Sequence, residues 1–286
     1  MSDKPPALPP IDRTVDAIRT RVIAWRDAGE GVALVPTMGA LHNGHLVLVT
    51  AAKERASRVI VSIFVNPLQF APTEDFAAYP RDLDGDVALL STVGTDAVFA
   101  PEGAEMYPAG FATQITVGGP AEGLETAFRP QHFAGVATVV AKLLIACGPE
   151  IAVFGEKDYQ QLLVVRRMVR DLMLPVEIVG HATVREADGL ALSSRNAYLS
   201  PEERQQAPTI HRALQDAAAA LRAGELGGTV VAEARQRLTE AGFDVDYVEL
   251  RNAETLALPV HQEREPLRLL AAARLGRTRL IDNIAV

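Results

Sequence analysis

The sequence predicts an α/β protein: a parallel sheet with helices on both faces, followed by a smaller α+β domain. Three observations predict it. Short, almost continuously apolar runs ("VALV", "RVIVSIF", "AVFAP", "IAVFG", "PVEIVG") alternate with stretches of helical length up to residue 183. Runs apolar on every residue suit strands covered on both faces, and strand–helix alternation implies parallel pairing. Beyond residue 183 the texture changes to a long polar loop, two helical stretches and three strand-like runs, which sets 184–286 apart from 1–183 as a second domain.

Each element follows from its own pattern. "MSDKPPALPP" is rich in proline and reads as a frayed end. Val15, Ile18, Val22 and Trp25 keep helical spacing, so 13–28 is an amphipathic helix. "VALV", 32–35, is the first strand, and Asn43 is expected to cap a helix from Gly44 to about Ala56. "RVIVSIF", 58–64, is the second strand. A polar loop with three prolines follows, then a helix over 83–93 and the strand "AVFAP". "ITV", 115–117, reads as a short strand, and "GGPAEG", 118–123, as a loop. "FAGVATVVAKLLIACG" is an apolar helix stopped by Gly148. "IAVFGEKDYQQLLVVRRMVRDLML" is a strand, a turn and a helix to about Leu172, and "PVEIVG" is another strand. In the second domain, helices are expected near 201–223 and 229–241, with "AGELGG" as the turn between them. "VDYVEL", "LRLLAAARL" and "RTRLIDNIAV" are the strand-like runs.

Composition narrows the function. With 286 residues, 48% of them hydrophobic, the chain has apolar material for a full core without disulfides. Cys147 is the only cysteine, and its apolar neighbours mark it as a buried hydrophobe. No signal peptide and no run of about 18 apolar residues is present, so the expectation is a cytoplasmic protein without a membrane span. The net charge of −8 and the lack of a basic stripe argue against nucleic acid. An acidic chain binds a polyanion only through a locally basic pocket.

"VALVPTMGALHNGHLVLV" is the stretch that offers one. His42 and His45 sit three apart where a strand turns into a helix. No G-x-x-x-x-G-K-[ST] or G-x-G-x-x-G is present, and the histidines do not match H-E-x-x-H. The rings could decorate the surface, bind a metal or hold phosphate. The strand–turn–helix setting favours phosphate, because a helix opening presents free N–H groups and a positive dipole end. Gly44 lets a ligand approach the backbone closely. The first turn and "VFGEKD" both follow a strand's carboxyl end, where such sheets bind ligands.

"PTMGALHNGH" resembles the His-x-Gly-His signature of the nucleotidyltransferase superfamily, whose sheet is Rossmann-like. "LSSRN", 192–196, resembles that superfamily's second, phosphate-binding loop. With "SIFVNPLQF", "YPRD", "HFAGV" and "FGEKDYQQL", the chain closely resembles the pantothenate synthetase (pantoate–β-alanine ligase) family from about residue 30 onward. The resemblance implies a ligase that uses ATP and Mg2+. Pantoate would be activated as pantoyl adenylate with loss of pyrophosphate, and β-alanine would then displace AMP to give pantothenate. It also implies a homodimer through the larger domain, with the smaller one as a lid.

By the same resemblance Pro36, Thr37, Met38, Gly39, Ala40, Leu41, His42, Asn43, Gly44 and His45 form the ATP turn, with His42 and His45 on the phosphates and His45 stabilising the transition state. Gly155, Glu156, Lys157 and Asp158, together with Val184, Leu192, Ser193, Ser194 and Arg195, complete the ATP site. Lys157 offers a point charge, and Arg195 can bind two oxygens at once. Gln69 and Gln161, with Asn66, are implied pantoate contacts. A neutral amide can read hydroxyls without tying down the carboxylate that must attack. For magnesium, Asp86 and then Asp84 are the candidates, although Gly85 interrupts the acidic run. Two other readings share the scaffold: an adenylyltransferase with a different acceptor, and a non-catalytic nucleotide sensor.

Overall fold

The structure is a computed structural model that describes residues 7–70, 76–77, 79–260 and 265–286. The first six residues of the proline-rich start, and 71–75 and 78 of the loop before "YPRD", lie outside the described residues. In chain order the elements are β1 (Ile11–Asp12), α1 (Val15–Asp27), β2 (Val32–Thr37), α2 (Asn43–Lys53), β3 (Arg58–Ile63), α3 (Leu83–Thr92), β4 (Ala97–Phe99), α4 (Gly103–Met106), α5 (Glu125–Phe128) and α6 (His132–Cys147). Then come β5 (Ile151–Gly155), α7 (Tyr159–Asp171), β6 (Glu177–His181), α8 (Pro201–Gln206), α9 (Thr209–Arg222), α10 (Gly227–Glu240), β7 (Asp244–Asn252), β8 (Leu267–Leu275) and β9 (Thr278–Ala285).

The chain forms two compact units, each assembled from three stretches. The first comprises Met1–Val117, Arg129–Gly155 and Val164–His181. Its sheet has the order β1-β4-β3-β2-β5-β6 with every pairing parallel, as the apolar runs predict. Ala33, Val35, Val59, Val61, Val98 and Val153 from its strands pack with Val49 and Ala52 of α2. Gly148 ends α6 in the left-handed conformation at φ 52°, the glycine stop that the sequence suggests.

The second unit comprises Gly118–Phe128, Glu156–Leu163 and Ala182–Val286. Its sheet, β7-β8-β9, is antiparallel. β8 is apolar on both faces because both are covered. Leu269, Ala271 and Ala273 join the core made with α9 and α10. Leu270 and Ala272 instead face Leu124, Tyr159 and Leu163. A buried ion cluster ties α5 to this second face: Arg279 donates to Glu125 Oε2 at 2.7 Å and Oε1 at 2.9 Å, and to Asp246 at 2.6 Å. Tyr247 OH donates to Glu125 Oε1 at 2.8 Å.

Three expectations change. β1, two residues long, is too short to leave a pattern. "ITV" forms no strand; the Ile115 N–H donates instead to Thr138 Oγ1 at 2.9 Å. The helix expected over 201–223 is broken into α8 and α9 around Pro208, which has no N–H to continue α8. None of the described helices is long and apolar enough to cross a membrane.

Candidate active site

Within the first unit, the chain leaves β2 at Thr37 and must reverse before α2. Thr37 Oγ1 donates to Ser62 O at 2.7 Å and accepts from Gly39 N at 3.3 Å. Gly39 and Ala40 are both left-handed, at φ 82° and 51°. The first suits glycine; the second is strained for a residue with a Cβ and persists only if something holds it. Asp86 of α3 holds it, Oδ2 accepting from Ala40 N at 3.0 Å and Oδ1 from Leu41 N at 2.7 Å. A Cβ on Gly39 would lie 2.9 Å from Asp86 Oδ2, so this position also needs glycine for space.

The cap of α2 corrects the sequence reading: His42, not Asn43, is the N-cap, and Asn43 is the exposed first residue of the helix. His42 Nδ1 accepts from Gly44 N at 3.1 Å, and His45 Nδ1 accepts from His42 N at 3.2 Å. An imidazole Nδ1 stands where the Oδ1 of a capping Asn would stand, which is why a histidine can do this work. The two rings lie 4.2 Å apart. Because each Nδ1 accepts a backbone hydrogen, each neutral ring carries its own proton on Nε2. The sequence thus builds two imidazole N–H donors at the opening of a helix, where the dipole already favours an anion.

Asn66 caps, and Gln69 ends, a 3-10 turn, Pro67–Gln69, in the same unit. Asn66 is 1% exposed and its amide is fully engaged. Nδ2 donates to Gln69 Oε1 and Gly135 O, each at 3.1 Å, while Oδ1 accepts from Tyr107 OH at 2.7 Å and Leu68 N at 3.3 Å. Burial pushes the Tyr107 hydroxyl pKa up, so it stays a donor. Gln69 Nε2 lies 2.8 Å from Met38 Sδ, which brings Gln69 against the turn after β2. The Gln69 carbonyl accepts from Arg129 Nη2 at 3.2 Å and lies 2.9 Å from His132 Nδ1. Sequence reasoning gave Arg129 and His132 no role; "HFAGV" was the available signal. Gly135 in that motif has its own reason: a Cβ there would sit 2.2 Å from Leu68 O.

The other expected residues fall in the second unit, apart from Gly155, which ends β5, and Asp84 of α3. Glu156–Asp158 form a 3-10 turn, with Lys157 Nζ 3.9 Å from Asp158 Oδ2. Gln161 follows in the first turn of α7, half-buried. Leu192 N donates to Val184 O at 2.9 Å, so those two implied ATP contacts pair directly. Ser193 caps the 3-10 turn Ser194–Tyr198, its Oγ accepting from Arg195 N at 3.3 Å.

The acidic residues do not fit a metal site. Both Asp86 oxygens take backbone hydrogens in a side chain of a residue only 4% exposed. Burial outweighs those bonds and pushes its carboxyl pKa up. Asp84 is exposed, and no group of three or more His, Cys, Asp or Glu that could hold a metal occurs among the described residues.

A parallel sheet with a His-x-Gly-His turn at the carboxyl end of an inner strand defines an α/β enzyme of the nucleotidyltransferase type. The family model for pantoate–β-alanine ligase matches residues 11–285. A pantothenate synthetase of Paramagnetospirillum magneticum is 58% identical over 96% of this chain and 97% of its own length. One from a Bradyrhizobium species is 56% identical over 97% and 99%. Among solved structures, pantothenate synthetase from Thermus thermophilus superposes with TM-score 0.90 at 50% identity, covering 96% of this chain and 98% of its own. Pantoate–β-alanine ligase from Francisella tularensis, complexed with β-γ ATP and β-alanine, gives TM-score 0.81 at 32% identity over 97% of each chain. The chain belongs to the pantoate–β-alanine ligase family and is an enzyme of that class.

Proposed function

We propose that the chain condenses pantoate with β-alanine in two steps through pantoyl adenylate. A carboxylate oxygen of pantoate attacks the α-phosphorus of ATP, and the bond to the β-phosphate breaks to release pyrophosphate. The β-alanine amine then attacks the acyl carbon, loses a proton, and expels AMP to leave pantothenate. The observation that carries this reading is the double histidine cap, which fixes an Nε2 donor on each ring at the start of α2. These donors suit the negative charge that gathers on the departing pyrophosphate, with His45 the main stabiliser. The Francisella relative complexed with β-γ ATP and β-alanine supports the substrates.

In this reading Lys157, Ser193, Ser194 and Arg195 also hold phosphate oxygens, and Gln69 and Gln161 read the pantoate hydroxyls. Asn66 acts by fixing Gln69. Magnesium would enter with the nucleotide, held by its phosphates. A lid role for residues 184–286, and a cytoplasmic homodimer through the larger domain, belong to the same proposal.

The test is pantoate-dependent exchange of labelled pyrophosphate into ATP without β-alanine, followed by AMP release when β-alanine is added. Exchange is expected in its absence; exchange that appears only once β-alanine is present would refute the adenylate as a separate first step. His45→Ala and Lys157→Ala should each lower exchange about 10²–10³-fold in a folded protein, the usual cost of one such donor. Full activity in either removes that residue from the site.

A further inference from the structure

We infer that Asp282 and Asn283, neighbours on β9, are positioning residues for the proposed phosphate contacts: one strand holds the Lys157 turn and the loop leading to Ser193–Arg195. The inference rests on the reading that these groups bind the triphosphate. Successive side chains on a strand point to opposite faces, so adjacent residues can serve two elements at once. Asn283 shares a face with Arg279, and its Nδ2 donates to the carbonyls of Glu156 and Lys157, both at 2.9 Å. Its Oδ1 accepts from Arg268 Nε at 2.7 Å, so a reversed amide would set its NH2 group against a guanidinium. Arg268 in turn reaches Glu156 Oε2 at 3.1 Å and lies 3.8 Å over the Tyr159 ring.

On the opposite face, Asp282 takes both arms of Arg185, at 2.7 and 2.9 Å. Arg185 pairs across a bridge with Ala191, directly before Leu192 and Ser193. Asp282 and Asn283 are 2% and 3% exposed, so neither serves solubility.

A turn carbonyl can usually be satisfied by water. Here two of them flank the one lysine whose ammonium must be aimed. Lys157 has four rotatable side-chain bonds, and its recorded ion partner is a neighbour at 3.9 Å. The backbone of the turn therefore fixes where that side chain starts, and so the space its ammonium can reach. Positioning lost at this level typically costs rate rather than fold.

The experiment is a double-mutant cycle read by pantoate-dependent ATP–pyrophosphate exchange. Asn283→Ser alone should lower the exchange kcat about tenfold or more with little change in the KM for pantoate. In a Lys157→Ala background the same substitution should cost almost nothing, since the group it aims has gone. Equal losses in both backgrounds, or no loss in either, overturn the inference. Wild-type exchange in Lys157→Ala alone refutes the reading of Lys157 rather than of Asn283. If Asn283→Ser does not fold, Arg268→Lys unlocks the amide more gently and is judged by the same cycle. The loop arm is tested with Arg185→Lys against Arg195→Ala: a loss that vanishes in the second background supports it, and an undiminished one overturns it.

Discussion

Gln69 and Gln161 carry the same side chain in different circumstances. The Gln69 amide is held by Asn66 and Met38, and its carbonyl by Arg129. Gln161 is half-buried, with no hydrogen bond to its amide among the described residues. Gln161→Ala therefore leaves no orphaned partner. It should raise the KM for pantoate about tenfold while the KM for ATP stays nearly constant, as expected for one lost hydrogen bond to substrate. Steady-state kinetics with each substrate varied in turn checks this; equal shifts would place Gln161 elsewhere. At this scale the sequence was legible where chemistry is contiguous. His42 and His45 announce themselves because one turn carries both. Asn283 did not, since 127 residues separate it from the Glu156 carbonyl it holds, and one Asn in "RLIDNIAV" carries no pattern. The histidine cap was missed because capping preferences point to Asn43, the residue beside it.

Between elements, a single side chain of α3 joins that helix to the turn before α2. Asp86 braces that turn through two backbone bonds at the strained Ala40. Asp86→Asn keeps the volume but aims an NH2 group at one of the two N–H donors, leaving a buried donor unpaired at about 1–3 kcal/mol. The expected outcome is a rise in the KM for ATP of about tenfold or more, with the magnesium requirement unchanged. ATP saturation curves at several magnesium concentrations decide it. A raised magnesium requirement with normal ATP affinity would make the carboxylate a metal ligand instead. The elements themselves were mostly readable, because period and apolar runs report burial. β5 and α6 are plain in the sequence since nearly every side chain in them is covered. Pro208 was a visible break that the helical spacing on both sides concealed. "ITV" looks like a strand locally, but among the described strands none pairs with it.

Over the whole molecule, charge decides how stability responds to acid. The chain carries 36 acidic and 28 basic residues, so it gains net positive charge only once many carboxylates are protonated. Glu150 and Asp282 are among the carboxylates whose pKa the fold lowers. At Glu150, burial raises the pKa, but the Val32 N–H and Arg26 outweigh it and the result is lowered. At Asp282, burial again raises it, and His211 and Arg185 more than offset that. A carboxylate whose folded pKa lies below its unfolded value, about 3.9 for Asp, stabilises the fold above that pH. The stabilisation disappears as pH falls through the folded value. Asp282→Asn removes the charge while Arg185 stays partly buried, and breaking a buried pair this way costs about 3 kcal/mol or more at neutral pH. The variant should therefore show a lower urea midpoint at pH 7. The gap to wild type should narrow only below about pH 4, where the wild-type carboxyl also loses its charge. Circular dichroism during urea titration at a series of pH values measures both. A gap that stays constant into strong acid would mean that Asp282 contributes packing rather than charge.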